Sequence, residues 1–168
     1  MKQARQRPPF PEDLPDTEFK KIRRLSPDFK IILFVPKIVK NTPTPFPQSV
    51  LLTATKISGF KWELPTRKIS RNDKSFREAV TRVGKETIGN VVRLHSIIGV
   101  GTQVNSFGFI CLTISRKAIR ESEKLRYFKL AKFPWGEIVP DHKVFINSYV
   151  CDQIHKIAKQ GMNRKSIQ

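Results

Sequence analysis

Alternating and continuous apolar runs predict β-strands in the first half of the chain. The aliphatic stretch 30–40 predicts a strand, and Pro36 inside it indicates an edge strand or a bulge, because proline cannot donate a sheet hydrogen bond. The stretches 49–56 and 60–65 predict two further strands separated by a turn. Three prolines within 41–48 predict a loop.

A helical period follows this strand pattern. Ser75 and Glu78 have the spacing of a capping box, which satisfies free backbone amides at a helix start. Gly89 is placed to end the helix, so the pattern predicts a helix over about 74–88. Gly84 inside it requires a packing reason, because glycine costs about 1 kcal/mol relative to alanine there. The apolar stripe of this helix consists of Phe76, Ala79, Val80 and Val83.

The second half of the chain begins with a predicted hairpin. Residues 91–104 and 108–115 are rich in β-branched side chains and predict two strands, joined by a turn at Asn105-Ser106. Residues 116–127 are highly charged and predict a loop or a short helix. Another strand is predicted around 133–136.

A helix over about 141–160 completes the pattern, and Gly161 is placed to end it. The order of the elements is neither an alternation of strands and helices nor a purely β pattern. It predicts an α+β or α/β fold in which a mixed β-sheet is flanked by two helices. The apolar stripe of the last helix is Ile146, Val150, Ile154 and Ile157, and His142 and His155 are predicted to be solvated on or near it.

The length of 168 residues predicts a single domain. Residues 1–28 are rich in proline and charge and predict an extended basic arm. The domain itself is predicted over 29–160, followed by a basic tail at 161–168. The longest apolar run, 31–35, is too short to cross a bilayer, so we expect no membrane partner.

The charge of the chain changes this picture most. Lysine and arginine number 32 against 14 acidic residues, which gives a formal net charge of +18. Self-repulsion of this size indicates a polyanionic partner. Nucleic acid is favoured over an anionic membrane surface because the basic residues are spread along the chain rather than gathered on one amphipathic helix.

Cysteine usage and the N-terminus suggest a compartment. Cys111 and Cys151 lie in apolar stretches without zinc-ligand spacing, which predicts two buried, reduced thiols. The first ten residues are basic and have no apolar core, so they do not resemble a secretory signal but could begin an arginine-rich organelle presequence.

The segment 62–90, WELPTRKISRNDKSFREAVTRVGKETIGN, resembles the box of the Nudix family. Trp62, Leu64 and Pro65 match the W-x-L-P lead-in, and Glu78-Ala79 matches the start of the box helix. Farther along, the box matches are Arg82, Glu86 and Gly89. The resemblance implies a Nudix-like fold for roughly residues 30–160.

The positions at which this sequence differs from the Nudix box determine which chemistry we expect. The resemblance implies that working members hold a divalent metal with clustered glutamates, because metal neutralises phosphate charge and activates water. Val83 and Thr87 replace two of these glutamates, Lys74 aligns near a third, and Thr66 and Arg67 replace the loop glycines. We therefore expect no catalytic residue, no metal and no cofactor. On this interpretation Arg82, Glu86 and Gly89 are vestigial, and Glu78, Arg82 and Glu86 form an ion-pair ladder on one helix face.

Three functions are compatible with these residues. The chain is similar to the Nudix-fold proteins of the mitochondrial large ribosomal subunit, which implies a non-catalytic component of a ribonucleoprotein particle, in mitochondria or otherwise in the cytoplasm or nucleus. Its partners would then be ribosomal RNA and neighbouring proteins. The alternative is a divergent hydrolase of nucleoside diphosphate-linked substrates that uses Glu86 with Glu63, Asp73 or Glu78 as substitute ligands. A third hypothesis is a protein-binding adaptor.

Binding of RNA would be electrostatic, with lysine and arginine neutralising phosphates. Tyr127, Phe128 or Trp135 could stack on bases, although core packing is the ordinary role of such residues. The predicted RNA-binding residues are Lys20, Lys21, Arg23, Arg24, Arg67, Lys68, Arg71, Lys74, Arg77, Arg116, Lys117, Arg120, Lys124 and Arg126.

Overall fold

The computed structural model describes residues 14–37, 49–102 and 107–165. The helices are α1 (Asp16–Leu25), α2 (Phe76–Thr87) and α3 (Pro140–Lys165). The strands are β1 (Lys30–Phe34), β2 (Pro36–Lys37), β3 (Ser49–Ala54), β4 (Trp62–Glu63), β5 (Thr66–Lys68), β6 (Val92–Gly101), β7 (Gly108–Ser115) and β8 (Leu125–Lys129). Two short 3₁₀ helices, Leu130–Lys132 and Trp135–Glu137, precede α3.

The predicted mixed α+β fold is confirmed, although the strands form two sheets rather than one. In the first sheet the order is β5-β1-β7-β6, with β1 parallel to β7 and the other pairs antiparallel. In the second, β3 pairs with β2, β4 and β8, always antiparallel. Val35 lies between β1 and β2, and Pro36 is the first residue of β2, a position at which a strand tolerates proline. One predicted strand therefore contributes to both sheets.

Two hydrophobic clusters lie on opposite faces of β1. Ile31 and Leu33 point into the cluster that contains the apolar stripe of α2. Ile32 and Phe34 point into the cluster that contains Ile146 of α3. Alternate residues of a strand face opposite sides of a sheet, so an uninterrupted aliphatic strand is suited to burial between two helical layers.

Helix α2 begins and ends as its sequence predicts. The Ser75 hydroxyl accepts a hydrogen bond from the Glu78 amide at 3.1 Å, and the Glu78 carboxylate accepts one from the Lys74 amide at 3.3 Å. Gly89 follows with a φ of +79°, a conformation that glycine adopts without strain. Gly84 also has its packing reason: a Cβ there would lie 2.5 Å from Cγ2 of Val92 on β6.

The predicted extended arm contains a helix, so this part of the prediction was wrong. Helix α1 follows Pro15 and precedes Pro27, and its Phe19 is buried against Phe76. Residues 1–13 lie outside the described part, as do the predicted loop at 41–48 and the turn at Asn105-Ser106.

The charged segment and the C-terminal region differ from their predictions in three ways. β8 forms at the end of the predicted loop, and 3₁₀ helices replace the strand expected around 133–136. Helix α3 runs through Gly161 to Lys165, into the predicted tail. On α3, Ile146 is buried and Val150 half-buried, whereas the side chains of Ile154 and Ile157 lie outside the described part.

Cys111 is buried, as predicted, and burial strongly raises the pKa of its thiol. Cys151 is exposed on α3, which corrects the prediction of two buried thiols. None of the described helices combines the length and the apolarity needed to cross a membrane.

Candidate functional site

Arg82 lies at the centre of the box segment. Its Nε and Nη2 donate to the two carboxylate oxygens of Asp73 at 2.8 and 2.9 Å, and its Nη1 donates to Glu86 at 3.0 Å. Nη2 also donates to the Lys68 carbonyl at 2.8 Å. Bidentate pairing with a buried aspartate is a strong arrangement for a guanidinium, and the hydrogen bond to Asp73 raises the pKa of Arg82. The guanidinium therefore clamps the loop before α2 onto the helix.

The predicted ladder on α2 is only half present. Arg82 and Glu86 pair at i, i+4, but Glu78 caps the start of the helix instead of joining them. Asp73, which sequence analysis named only as a substitute metal ligand, takes its place and is 2% exposed.

These residues do not fit a divalent-metal site of the kind that the family resemblance implies. A hard cation requires several oxygen ligands converging on one point. Asp73 and Glu86 already bind the Arg82 guanidinium, and the Thr87 hydroxyl donates to the Val83 carbonyl at 2.6 Å. Among the described residues, no group of three or more histidine, cysteine or acidic side chains could hold a metal ion.

Apart from the box segment, a concavity of about 520 Å³ lies at the edge where β4 pairs with β3 and β5 pairs with β1. We call it the Glu63 cleft. In β4, Glu63 pairs with Thr53 of β3, whereas β5 pairs with β1 so that Lys68 lies opposite Lys30. The cleft is lined by Lys30, Thr53, Ala54, Thr55, Lys56, Ile57, Glu63, Thr66, Arg67 and Lys68.

Glu63 is the carboxylate of this cleft and is half-buried. The Thr55 hydroxyl donates to its Oε2 at 3.0 Å. Burial raises the pKa of Glu63, because loss of solvent disfavours the charged form. The hydrogen bond from Thr55 and the charges of Lys30 and Arg67 act in the opposite direction. The result is a carboxylate of increased basicity surrounded by cations.

Two side chains with buried polar atoms, those of Thr66 and His142, belong to this region. The Thr66 hydroxyl lines the cleft and has no hydrogen-bond partner in the part of the chain that the structure describes. The ring of His142, on α3, accepts a hydrogen bond from the Leu64 amide on Nδ1 at 3.0 Å. His142 is 1% exposed, so the prediction of a solvated histidine was wrong, and burial lowers its pKa to about 4. Its neutral ring ties α3 to the residue after Glu63.

The predicted RNA-binding residues are divided among several places. Arg67 and Lys68 lie on β5 and line the Glu63 cleft. Arg77 and Arg116 line a different concavity, together with Arg93. The four predicted residues of α1 line a groove with Arg71.

The remaining candidates lie before α2, in β8 and in the segment that precedes β8. Lys74 is exposed next to the start of α2. Arg126 lies over the rings of Trp62 and Phe128, 4.9 and 5.3 Å from their centroids, so its side chain covers the core. Of the proposed stacking residues, Tyr127, Phe128 and Trp135 are all half-buried and pack against the core clusters. The exposed candidates of this segment are Lys117, Arg120 and Lys124.

Sequence analysis did not identify Lys30, Thr53 or Thr55 as site residues. It named Glu63 only as a substitute metal ligand near Glu86, whereas the structure places it in a separate cleft with Lys30 and Thr55. The pairing of β3 with β4 brings Thr53 and Thr55 to Glu63, and the pairing of β1 with β5 brings Lys30 to the same edge. The sequence contains no motif that specifies these pairings.

Comparison with known proteins shows the fold. A protein of Clostridium perfringens described as a Nudix family hydrolase matches with a TM-score of 0.53 and 15% identity, over 75% of this chain and 97% of its own. A protein of Chromobacterium violaceum described as a Nudix hydrolase family member gives a TM-score of 0.54 at 14% identity, over 84% and 93%. This chain has the Nudix fold. A Jonesia denitrificans protein described as a possible asymmetric diadenosine tetraphosphate (Ap4A) hydrolase also shares the Nudix fold, with a TM-score of 0.54, 11% identity and coverage of 77% and 96%. No protein-family model and no curated protein matches the sequence.

These comparisons correct the predicted function. The expectation of a non-catalytic, RNA-binding component of a ribosomal particle was wrong, because the three solved structures above are described as hydrolases. They favour the alternative, a divergent hydrolase. At identities of 11% to 15% the similarity itself shows the fold alone. RNA as a partner and a mitochondrial location stay predictions.

Proposed function

We propose that the chain is a divergent Nudix-type hydrolase that cleaves nucleoside diphosphate-linked substrates in the Glu63 cleft. The observation that carries the proposal is the single half-buried carboxylate of raised pKa surrounded by Lys30, Lys56, Arg67 and Lys68. A carboxylate whose pKa is shifted by burial within a cleft is a typical mark of an acid–base residue. Replacement of the box glutamates by Lys74, Val83 and Thr87 agrees with a reaction centre at this edge of the sheet rather than on the box helix.

The cations of the cleft suit a diphosphate. Lysine and arginine bind phosphate oxygens through charge-assisted hydrogen bonds, and a partly dry site strengthens them. The unpartnered Thr66 hydroxyl adds a donor at the same wall. These groups would hold the diphosphate and offset the negative charge that builds up when the leaving phosphate departs.

Glu63 supplies the base. Its carboxylate accepts a proton from a water molecule while the water oxygen forms a bond to phosphorus. The bond between that phosphorus and the bridging oxygen breaks, and the leaving group departs as a nucleoside phosphate anion beside the lysine and arginine side chains. Glu63 then releases the proton to solvent. The increased basicity that burial gives Glu63 favours the first of these steps.

A substrate panel tests the proposal. Purified protein is incubated with Ap4A, a UDP-linked sugar and, as a matched control, a nucleoside monophosphate ester that contains no P–O–P bond. Ap4A and a UDP-linked compound are chosen because two proteins of this fold are described as an Ap4A hydrolase and a UDP-X diphosphatase. Chromatography of the products is expected to show nucleotide release from at least one P–O–P compound and none from the ester. Absence of release from every P–O–P compound, with the protein folded, would contradict the proposal.

A further inference from the structure

Helix α1 and the loop before α2 enclose a groove of about 930 Å³. We call it the α1 groove. It is separate from the Glu63 cleft, with which it shares no lining residue. The residues around it are Thr17, Lys20, Lys21, Arg23, Arg24, Pro27, Ile69 and Arg71.

All charged side chains that line the α1 groove are positive. Five of its eight lining residues are lysine or arginine and none is acidic. Lys20, Lys21, Arg24 and Arg71 are exposed and make no ion pair within the described part of the chain. Lys20 and Arg24 are neighbours at i, i+4, where like charges destabilise a helix. A bound anion would relieve this repulsion.

The groove is held in place by the box loop. Phe19 of α1 packs on Phe76 of α2, with ring centroids 6.1 Å apart. One turn farther along the same face of α1, Arg23 donates a hydrogen bond to the Asp73 carbonyl. Because the Asp73 side chain is itself paired with Arg82, these contacts tie α1 to the loop before α2 and hold Arg23 in place at the groove.

An ion pair marks the boundary with the Glu63 cleft. Asp28 follows the groove residue Pro27, and its carboxylate binds the Lys68 ammonium of the cleft at 2.7 Å. The hydrogen bond from Lys68 lowers the pKa of Asp28, so this partner stays ionised at neutral pH. Substitutions can be placed in the groove without changing a residue of the cleft, because the two share no lining residue.

We propose that the α1 groove is a second anion site that binds a condensed phosphate chain. Several cations around an open groove favour a ligand that carries several adjacent charges, since each contact after the first is intramolecular. Single-stranded nucleic acid is the less favoured ligand. Sites for it combine cations with aromatic stacking surfaces, and none of the described residues that line this groove is aromatic. The proposal goes beyond the hydrolase function and does not depend on it.

Direct binding of inorganic tripolyphosphate to the full chain tests the proposal. Calorimetry at low salt would compare the wild type with the triple variant Lys20→Glu/Lys21→Glu/Arg24→Glu. The matched control, Lys124→Glu/Lys129→Glu/Lys132→Glu, changes the net charge equally at exposed sites away from the groove. We expect the groove variant to weaken binding at least about tenfold, because contacts to charged groups are lost. The control is expected to stay within about twofold.

Two further measurements complete the test. An unstructured single-stranded RNA should compete poorly with tripolyphosphate for the groove. Hydrolysis of a P–O–P substrate should be unchanged in the groove variant. The second measurement distinguishes failure of the anion-site proposal from failure of the hydrolase proposal. An equal loss of tripolyphosphate affinity in both triple variants, or no binding by the wild type, would overturn the proposal of an anion site in the groove. RNA binding tighter than tripolyphosphate and lost in the groove variant would overturn the ligand class. If the triple variant unfolds, Lys20→Gln and Arg71→Gln singly should each weaken binding.

Discussion

Glu63 illustrates how strongly a residue's neighbours decide its chemistry. The same side chain type at Glu86 is exposed and paired with Arg82, whereas Glu63 is half-buried and accepts one hydroxyl hydrogen bond. Burial raises the pKa of Glu63, and the Thr55 hydrogen bond and nearby cations limit that rise. If Glu63 is the base, kcat/KM should fall as the pH drops through its pKa.

Removing the Thr55 hydroxyl should move this acid limb to higher pH. Thr55→Val keeps the side-chain shape but deletes the hydrogen bond that favours the ionised form of Glu63, so the pKa of Glu63 should rise further. The measurement is the pH profile of kcat/KM. Thr53→Val is the matched control, because Thr53 lines the same cleft while its hydroxyl bonds the Ala54 carbonyl instead. An acid limb that stays in place or moves to lower pH in Thr55→Val would exclude Glu63 as the base.

Prediction from sequence fails at this residue scale for a physical reason. Arg82 and Glu86 could be paired from their spacing of four on one helix. The bond between Thr55 and Glu63 joins residues eight apart in consecutive strands, and it depends on the register of β3 and β4, which residue spacing alone does not give. Asp73 was also hard to assign, because its side chain bonds Arg82 on α2 while its carbonyl accepts from Arg23 on α1.

At the scale of elements, α2 was predictable because its cap and stripe are local. Helix α1 was missed because five prolines between residues 8 and 27 suggested extended structure, yet Pro15 and Pro27 stand just outside its ends, where proline is tolerated. β8 was missed because its exposed Arg126 and Lys129 extend the charged run before it, while Leu125 is buried.

The contact between α2 and β6 gives a prediction of its own. Gly84→Ala should destabilise the protein despite the better helix propensity of alanine, because the new Cβ would clash with Val92. The expected loss is about 1–3 kcal/mol in urea unfolding. Gly136→Ala is the control, since nothing lies within 4 Å of a Cβ there, and it should change stability little.

A double-variant cycle makes that prediction specific. Adding Val92→Ala to Gly84→Ala should cost less than the two single losses combined, with a coupling of about 0.5–3 kcal/mol. Strict additivity of the two losses would mean that the clash with Val92 does not limit residue 84.

The link from α3 to the strands predicts a pH dependence of stability. His142 is buried, and burial together with the charge of Lys30 lowers its pKa to about 4. Since an unfolded histidine binds its proton near pH 6.5, the contribution is present above that pH and is lost as the pH falls toward 4. The loss corresponds to about 3 kcal/mol. His142→Asn retains an acceptor for the Leu64 amide without a titrating group, so its stability should depend less on pH in this window. Parallel pH curves for both proteins would contradict the assignment.

For the whole molecule, the charge of +18 predicts anionic partners, but the sequence does not predict how that charge is distributed over the fold. The structure divides the basic side chains among the Glu63 cleft, the α1 groove and a third concavity at Arg77. The Nudix fold was predictable from W-x-L-P and the box helix. The position that we propose for the chemistry was not predictable, because the box indicated Glu86 whereas the carboxylate of raised pKa lies on β4.

The central claim is that cleavage takes place in the Glu63 cleft and not at the box helix. The most direct test is kcat/KM on a cleaved P–O–P substrate for Glu63→Gln and Glu86→Gln, with the exposed Glu123→Gln as control. Loss of the base should lower kcat/KM by about 10²- to 10⁴-fold in Glu63→Gln. Glu86→Gln removes one exposed ion pair and should stay within about threefold, as should the control. Unchanged kcat/KM in Glu63→Gln together with a large loss in Glu86→Gln would place the chemistry at the box and contradict this account.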